Sequence, residues 1–287
     1  MKFPYIDTHC HVHFEAYKDD MDEVVKRSLD AGVAMITVGT QSTTSKNAIA
    51  LAEKYEGVWA TIGLHPNHVH RQEFFDDNEL PPEQREVGKI KTRAELFDAS
   101  YYTELAAHPK VVAIGEFGLD YYRIPEHLSA EEVIKEQKEQ CRAQLSFASK
   151  VQKPIVIHCR DAHEDQAILL NEEINNGGLS ARGVIHSFTG TKEDAKRYQD
   201  IGFFLGLNGI LTFSKELQAT VKDLPLEQLV LETDAPYLTP PPNRGKRNEP
   251  LNVQDIAVFL ADLKGISLDE VREVTTANAM KLFNISL

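Results

Sequence analysis

Cysteine is scarce in this chain: Cys10, Cys141 and Cys159 are the only three among 287 residues. A small, odd count excludes a disulfide framework and fits a reducing cytoplasm. No apolar run is long enough to span a membrane, and the first residues lack a basic segment followed by an apolar stretch. Neither a membrane segment nor a secretory leader is expected. Cations are in deficit, 31 Lys and Arg against 44 Asp and Glu, for a net charge of -13. That excludes indiscriminate coating of duplex nucleic acid, which needs a basic surface. It leaves open a nucleic acid bound where metal ions supply the positive charge. Low-complexity segments and internal domain boundaries are also missing, and nothing suggests an obligate protein partner. A single domain over residues 1–287 is expected, and 42% hydrophobic residues suffice for one sizeable core.

What the chain does contain is a repeated alternation of short apolar runs and helical patterns. The runs are Phe3–Ile6, Val33–Val38, Val58–Leu64, Val111–Ile114, Pro154–Ile157, Gly183–Ile185, Phe203–Leu207 and Leu229–Leu231. Between them, helical spacing is read over about 19–31, 43–55, 94–107, 163–174, 191–200 and 214–222, and behind the S-x-x-E capping box of Ser129 and Glu132. Two further helices close the chain, the last opened by Ser267 and Glu270. Buried parallel strands read as continuous apolar runs, and strand–helix alternation implies a parallel sheet. Eight such repeats in this length predict a (β/α)8 barrel, since these barrels run to about 250 residues. One connection breaks the pattern: the polar stretch 67–93 after the third strand is too long for an ordinary loop and reads as a lid or an insertion. His68 and His70 within it are expected to be solvated.

The polar residues where each run stops form a set. The first strand ends in Asp7-Thr8-His9-Cys10-His11, where residues two apart share a face, so His9 and His11 project together and Cys10 away. The third gives His65, the fourth Glu116, the fifth His158, the sixth His186, the seventh Asn208, and the eighth Glu232 and Asp234. In a barrel all of these lie at one mouth, where catalytic groups sit. Four of these histidines and two of the carboxylates, from five strand ends, already exceed the needs of one metal and suit two ions sharing a carboxylate. By the same parity Cys159 turns away from His158, and both cysteines read as buried small residues. Asp7 shares the face of His9, either to orient a ligand or simply as a strand-end hydrogen bond.

Six stretches then carry a family resemblance: Asp-Thr-His-Cys-His, Gly-Leu-His-Pro, Gly-Glu-Phe-Gly-Leu-Asp, His-Cys-Arg-Asp, His-Ser-Phe-Thr-Gly and Glu-Thr-Asp-Ala-Pro. In this order they resemble the TatD family of metal-dependent nucleases, within the wider amidohydrolase-like barrels. The resemblance runs from residue 6 to the C-terminal helices. It implies a distorted barrel, divalent metals (Mg2+, Mn2+ or Zn2+) and phosphodiester hydrolysis, usually of DNA. The implied ligands are His9, His11, Glu116, His158, His186 and Asp234. Phe117, where a smaller residue is common, and the long acidic stretch 67–93 depart from the family pattern.

On this basis Glu116 is expected to bridge two ions, with His9, His11 and Asp234 on one and His158 and His186 on the other. The metals would lower the pKa of a bound water. Asp234 would accept its proton and pass it to the leaving oxygen. Glu232 would assist Asp234 or hold a ligand in place. His65 faces substrate or makes a structural hydrogen bond before Pro66. Arg160, Arg244, Lys246 and Arg247 would clamp phosphates unless the last three are simply a solvated basic loop. The expected substrate is nucleic acid, single-stranded DNA favoured, trimmed from an end. Hydrolysis of a D-aminoacyl-tRNA ester or of a small amide by the same metal pair is the alternative, and a metal-binding docking scaffold a more distant one.

Overall fold

The computed structural model describes residues 2–75 and 89–287. Its strands are β1 (Tyr5–Cys10), β2 (Val33–Val38), β3 (Val58–Ile62), β4 (Glu73–Phe75), β5 (Lys89–Lys91), β6 (Val111–Asp120), β7 (Ile155–Arg160), β8 (Gly183–Ile185), β9 (Phe204–Leu207) and β10 (Leu229–Leu231). Eight of them form one parallel sheet in the order β1-β2-β3-β6-β7-β8-β9-β10, while β4 and β5 make a separate antiparallel hairpin. The sheet curls until its edges meet. Cys10 bridges to Ala235, the Asp234 amide donates to the His9 carbonyl at 2.8 Å, and the His11 amide donates to the Ala235 carbonyl at 2.7 Å. The expected (β/α)8 barrel is thus present, nearly closed, with its seam beside the first histidine pair.

Helices separate the strands: α1 (Met21–Asp30), α2 (Ser42–Lys54), α3 (Ala99–Ala106), α4 (Ala130–Val151), α5 (His163–Asn175), α6 (Lys192–Asp200) and α7 (Lys215–Val221), followed by α8 (Val253–Lys264) and α9 (Leu268–Phe283). Their starts follow the capping chemistry in the sequence. Ser129 and Ser267 accept from the backbone amides of Glu132 and Glu270, each satisfying a donor that the first helical turn leaves free. The helix expected over 94–107 starts later, because Asp98 caps it by accepting from the amides of Ser100 and Tyr101. Two apolar layers hold the barrel. One draws side chains from all eight strands, among them Ile6, Ile36, Trp59, Val112, Val156, Val184, Phe204 and Val230, and is plugged by Leu282, Phe283 and Ile285 from the end of α9 and beyond. The other lies between strands and helices and includes the fully buried Phe117 together with Cys10, Cys141 and Cys159.

Two expectations about the chain after β3 are corrected. His68 and His70 are buried, at 7% and 8% exposure, rather than solvated. A short 3-10 turn over Pro66–His68 folds them against the barrel, and burial pushes the His68 pKa down to about 3. Of the stretch 67–93 expected as a lid or an insertion, Glu73–Phe75 and Lys89–Lys91 form the β4–β5 hairpin, and residues 76–88 lie outside the described residues. The fourth barrel strand also runs on to Asp120 instead of stopping at Ile114. Gly118 permits this: its φ is +149°, and a β-carbon there would strike the carbonyl oxygen of His158 on the neighbouring strand.

Candidate metal centre

The first two histidines are set by the seam. His9 and His11 both turn to the mouth, with their Nε2 atoms 3.2 Å apart. His11 Nδ1 lies 2.8 Å from the Val38 carbonyl. A carbonyl only accepts, so Nδ1 carries the hydrogen and Nε2 presents its lone pair to the centre. Asp7 does not touch either imidazole. Its carboxylate accepts from the His9 amide and from the amide and hydroxyl of Thr233, so it stitches β1 to the end of β10. That is the strand-end reading, and burial raises its pKa well above the usual range.

Glu116 stands in the middle, 3% exposed. Its two oxygens face different partners. Oε2 is 3.4 Å from His9 Nε2 and 3.9 Å from His11 Nε2. Oε1 is 3.0 Å from His158 Nδ1, 3.4 Å from His65 Nε2 and 3.6 Å from His186 Nε2. Asp234 closes the group, with Oδ1 3.5 Å from His11 Nε2, 3.7 Å from His9 Nε2 and 3.8 Å from His186 Nε2. The six expected ligands are therefore brought together.

His65 joins them more closely than expected. Its Nδ1 accepts from the Asn67 amide at 3.1 Å, which makes it the cap of the 3-10 turn. Its Nε2 then bears the hydrogen and points it at Glu116. Burial, and then the nearby His158, lower its pKa to about 4, so it is a neutral donor at the mouth.

Behind the imidazoles stand two carboxylates. Asp120, fully buried, accepts from His158 Nε2 at 3.0 Å, from Asn67 Nδ2 at 3.2 Å, and from the amides of Tyr122 and Arg123 at 3.0 and 2.8 Å. Sequence reasoning gives it no role, because an apolar run that stops at Ile114 leaves Asp120 beyond the strand. Continued to 120, alternation puts Asp120 on the face of Glu116, and that parity is the signal that finds it. Glu232 occupies the matching place behind His186. Its Oε1 is 2.9 Å from His186 Nδ1, an ionic contact whose angle falls short of a hydrogen bond, and accepts from the Ser187 amide at 2.6 Å. Gly206 makes room for it, since a β-carbon there would come within 2.8 Å of the Glu232 carboxyl carbon. Fully buried, Glu232 supports His186 and does not front the mouth. Asn208 is spent on the Ser187 hydroxyl and the Ile210 amide.

The electrostatics follow from this packing. Burial opposes ionisation of Glu116, yet His65, His9 and His186 hold its pKa well below the carboxylate range. Asp234 is lowered in the same way, burial being overcome chiefly by His186. His186 is pushed up to about 10 against its burial by Glu232, Asp234 and Glu116, and His158 is raised against its burial by Asp120 and Glu116. Ionised carboxylates alternating with protonated imidazoles form a cluster that demands positive charge. Divalent cations with imidazole and carboxylate donors fit that demand and can take the place of the protons. Three groups have donor atoms that converge closely enough for an ion: His9 with His11 and Glu116, His65 with Glu116 and His158, and His9 with His186 and Glu232.

The expected phosphate clamps divide. Arg160 lies over the Tyr122 ring at 3.9 Å, and Arg244, exposed, over the Phe213 ring at 4.1 Å. Arg247 is committed elsewhere: it donates to both Asp20 oxygens and to the Ala16 carbonyl, and covers the Tyr17 ring. That is a structural ion pair, and a phosphate contact for Arg247 gains no support from it.

A barrel whose strand ends converge buried imidazoles and carboxylates in this way defines a metal-dependent hydrolase. The TatD related DNase family matches residues 6–284, and the chain belongs to that family. It is 38% identical to the metal-dependent hydrolase YabD of Bacillus subtilis, over 98% of this chain and 99% of that one. To the 3'-5' ssDNA/RNA exonuclease TatD of Shigella flexneri it is 34% identical, over 94% of this chain and 95% of the relative. Among solved structures, the TatD homologue YJJV of Escherichia coli superposes with a TM-score of 0.81 at 27% identity over 100% of both chains.

Proposed function

We infer that the whole chain, 1–287, is one deoxyribonuclease unit that trims single-stranded DNA from an end, with two divalent ions, Mg2+, Mn2+ or Zn2+, at the Glu116 centre. The observation that carries this reading is the divided environment of Glu116, one oxygen toward His9 and His11 and the other toward His65, His158 and His186. That is the arrangement a shared carboxylate between two cations needs. The name of the Shigella relative, an exonuclease of single strands, supports the substrate class. Among the described residues no helix is long and apolar enough to cross a membrane, and the three free, buried thiols suit a reducing cytoplasm.

Bound cations would supply Lewis acidity and lower the pKa of water at His9, His11, Glu116, His158, His186 and Asp234. The chain's own residues do the rest. Asp234, at the rim and held ionised, takes a proton from the attacking water and returns it to the leaving oxygen. His65 would turn its Nε2 hydrogen, which points at Glu116, to a phosphate oxygen. Asp120 and Glu232 fix His158 and His186. Arg160 and Arg244 neutralise phosphate charge at the rim, where a net charge of -13 would otherwise repel the strand.

The test is a panel: 5′- and 3′-labelled single strands, closed circular duplex, a D-aminoacyl ester and a lactam, each with and without added metal. Stepwise metal-dependent shortening of the linear strands, with circles intact, is expected. Rapid nicking of circles with linear strands untouched, or turnover of the ester or lactam alone, would overturn the reading.

A further inference from the structure

Arg123 stands where the metal centre meets a second feature of the surface. On one side its guanidinium is 3.4 Å from Asp120 Oδ2, the carboxylate that holds His158. Asp120 also fixes the backbone of Arg123 through its amide at 2.8 Å, so the side chain leaves the strand end in one direction. Arg160 disfavours its charge, and Tyr237 and Asp234 favour it. On the other side Arg123 lines an open cleft of about 1000 Å3, walled also by Arg71, Arg93 and His127 and by the carboxylates Glu73 and Glu126. Arg93 is tied to Glu95 at 2.6 Å, whereas Arg71 is exposed.

Residues 122 and 123 bring two guanidiniums to one rim: Tyr122 carries Arg160 on its ring at 3.9 Å, and Arg123 follows it, paired with Asp120 on its inner side. Neighbouring like charges make such a rim attractive to a further anion. The Arg123 side chain is only 15% exposed, and its burial, then the charge of Arg160, lower its pKa to about 10. A cation kept in such a place beside a catalytic centre has the character of an anion-binding group. The cleft beyond it matches the upper end of ligand pockets, roughly 300–1,000 Å3, and has room for more than a phosphate.

We propose that Arg123 holds the phosphate next to the scissile one, and that the cleft toward Arg71 and His127 takes the following nucleotides of a polynucleotide chain. This rests on the phosphodiesterase reading of the metal centre and extends it. Substrates with a single phosphate cannot use Arg123, so the enzyme should prefer longer chains.

The experiment compares the metal-loaded protein on thymidine 5′-(p-nitrophenyl phosphate), which has one phosphate, and on thymidine oligomers of increasing length. The wild type should show KM falling with length. In Arg123→Gln the preference for oligomers over the chromogenic diester, as a ratio of kcat/KM, should fall about ten- to a hundred-fold, the loss of one charge-assisted contact, mainly through KM. Arg123→Lys should keep part of it, and Arg71→Ala should lose preference only for the longer oligomers. Metal content is measured on every variant and should match the wild type. A fall in kcat on all substrates alike, with reduced metal, would mean that Arg123 acts through Asp120 on His158, and the proposal fails. A wild-type KM independent of length, or an unchanged preference in Arg123→Gln, also overturns it while leaving the phosphodiesterase reading intact. Hydrolysis of no diester at any length overturns both.

Discussion

Asp120→Asn isolates the support behind a metal ligand. The substitution keeps the size of the side chain and removes its charge. Asp120 is fully buried and receives His158 Nε2, Asn67 Nδ2, two backbone amides and the Arg123 guanidinium. Every one of these partners donates, so an amide must turn its own NH2 toward a donor. One charge-assisted bond becomes a repulsive contact, at a cost of about 1–3 kcal/mol in stability. His158 loses the acceptor that orients it, and removal of such partners typically lowers metal affinity or activity about 10–100-fold. Urea denaturation reads the first quantity and titration of the metal-free protein with Mn2+ the second. Metal affinity within about twofold of wild type, in a protein destabilised as expected, would refute the reasoning: Asp120 would then be a packing residue, and His158 would be held by something else.

Arg247→Ala should destabilise the fold by roughly 1–3 kcal/mol and leave KM on oligonucleotides unchanged, whereas Arg244→Ala should raise KM and leave stability alone. Denaturation and steady-state kinetics separate the two. The Arg247 effect should also depend on pH. Arg247 is the main group holding the Asp20 pKa below its ordinary 3.8, so the pair's contribution is present above that value and lost as pH falls below it. Metal uptake should release protons at neutral pH, because His158 and His186 are held protonated by neighbouring carboxylates. Affinity should then rise with pH, and calorimetry in buffers of different ionisation enthalpy should show the proton release. Heats independent of buffer would contradict it.

Much of this arrangement is legible in the sequence. The limits of β2, β8 and β10 coincide with apolar runs, because strands buried on both faces leave no polar gap in the pattern. Five of the six expected ligands sit at or close to strand ends, which barrel topology gathers at one mouth, and Glu116 reaches that mouth from within β6. Two of the misses come from local backbone and the third from a distant partner. Asp120 was hidden because Gly115 and Gly118 make the sequence after Ile114 look like a turn, although both lie within β6. His68 and His70 looked solvated because polar surroundings in sequence say nothing of a 3-10 turn that folds back on the barrel. Arg247 looked like a phosphate clamp because its partner, Asp20, is 227 residues away, and no spacing rule reaches that far.

The central claim is that Glu116 is shared between two cations, and anomalous scattering from Mn2+-soaked crystals tests it most directly. Two peaks per chain are predicted, one beside each carboxylate oxygen of Glu116, with His9 and His11 near one and His158 near the other. Both peaks should weaken together in Glu116→Gln. A single peak, or two that persist at full occupancy in Glu116→Gln, would contradict the account.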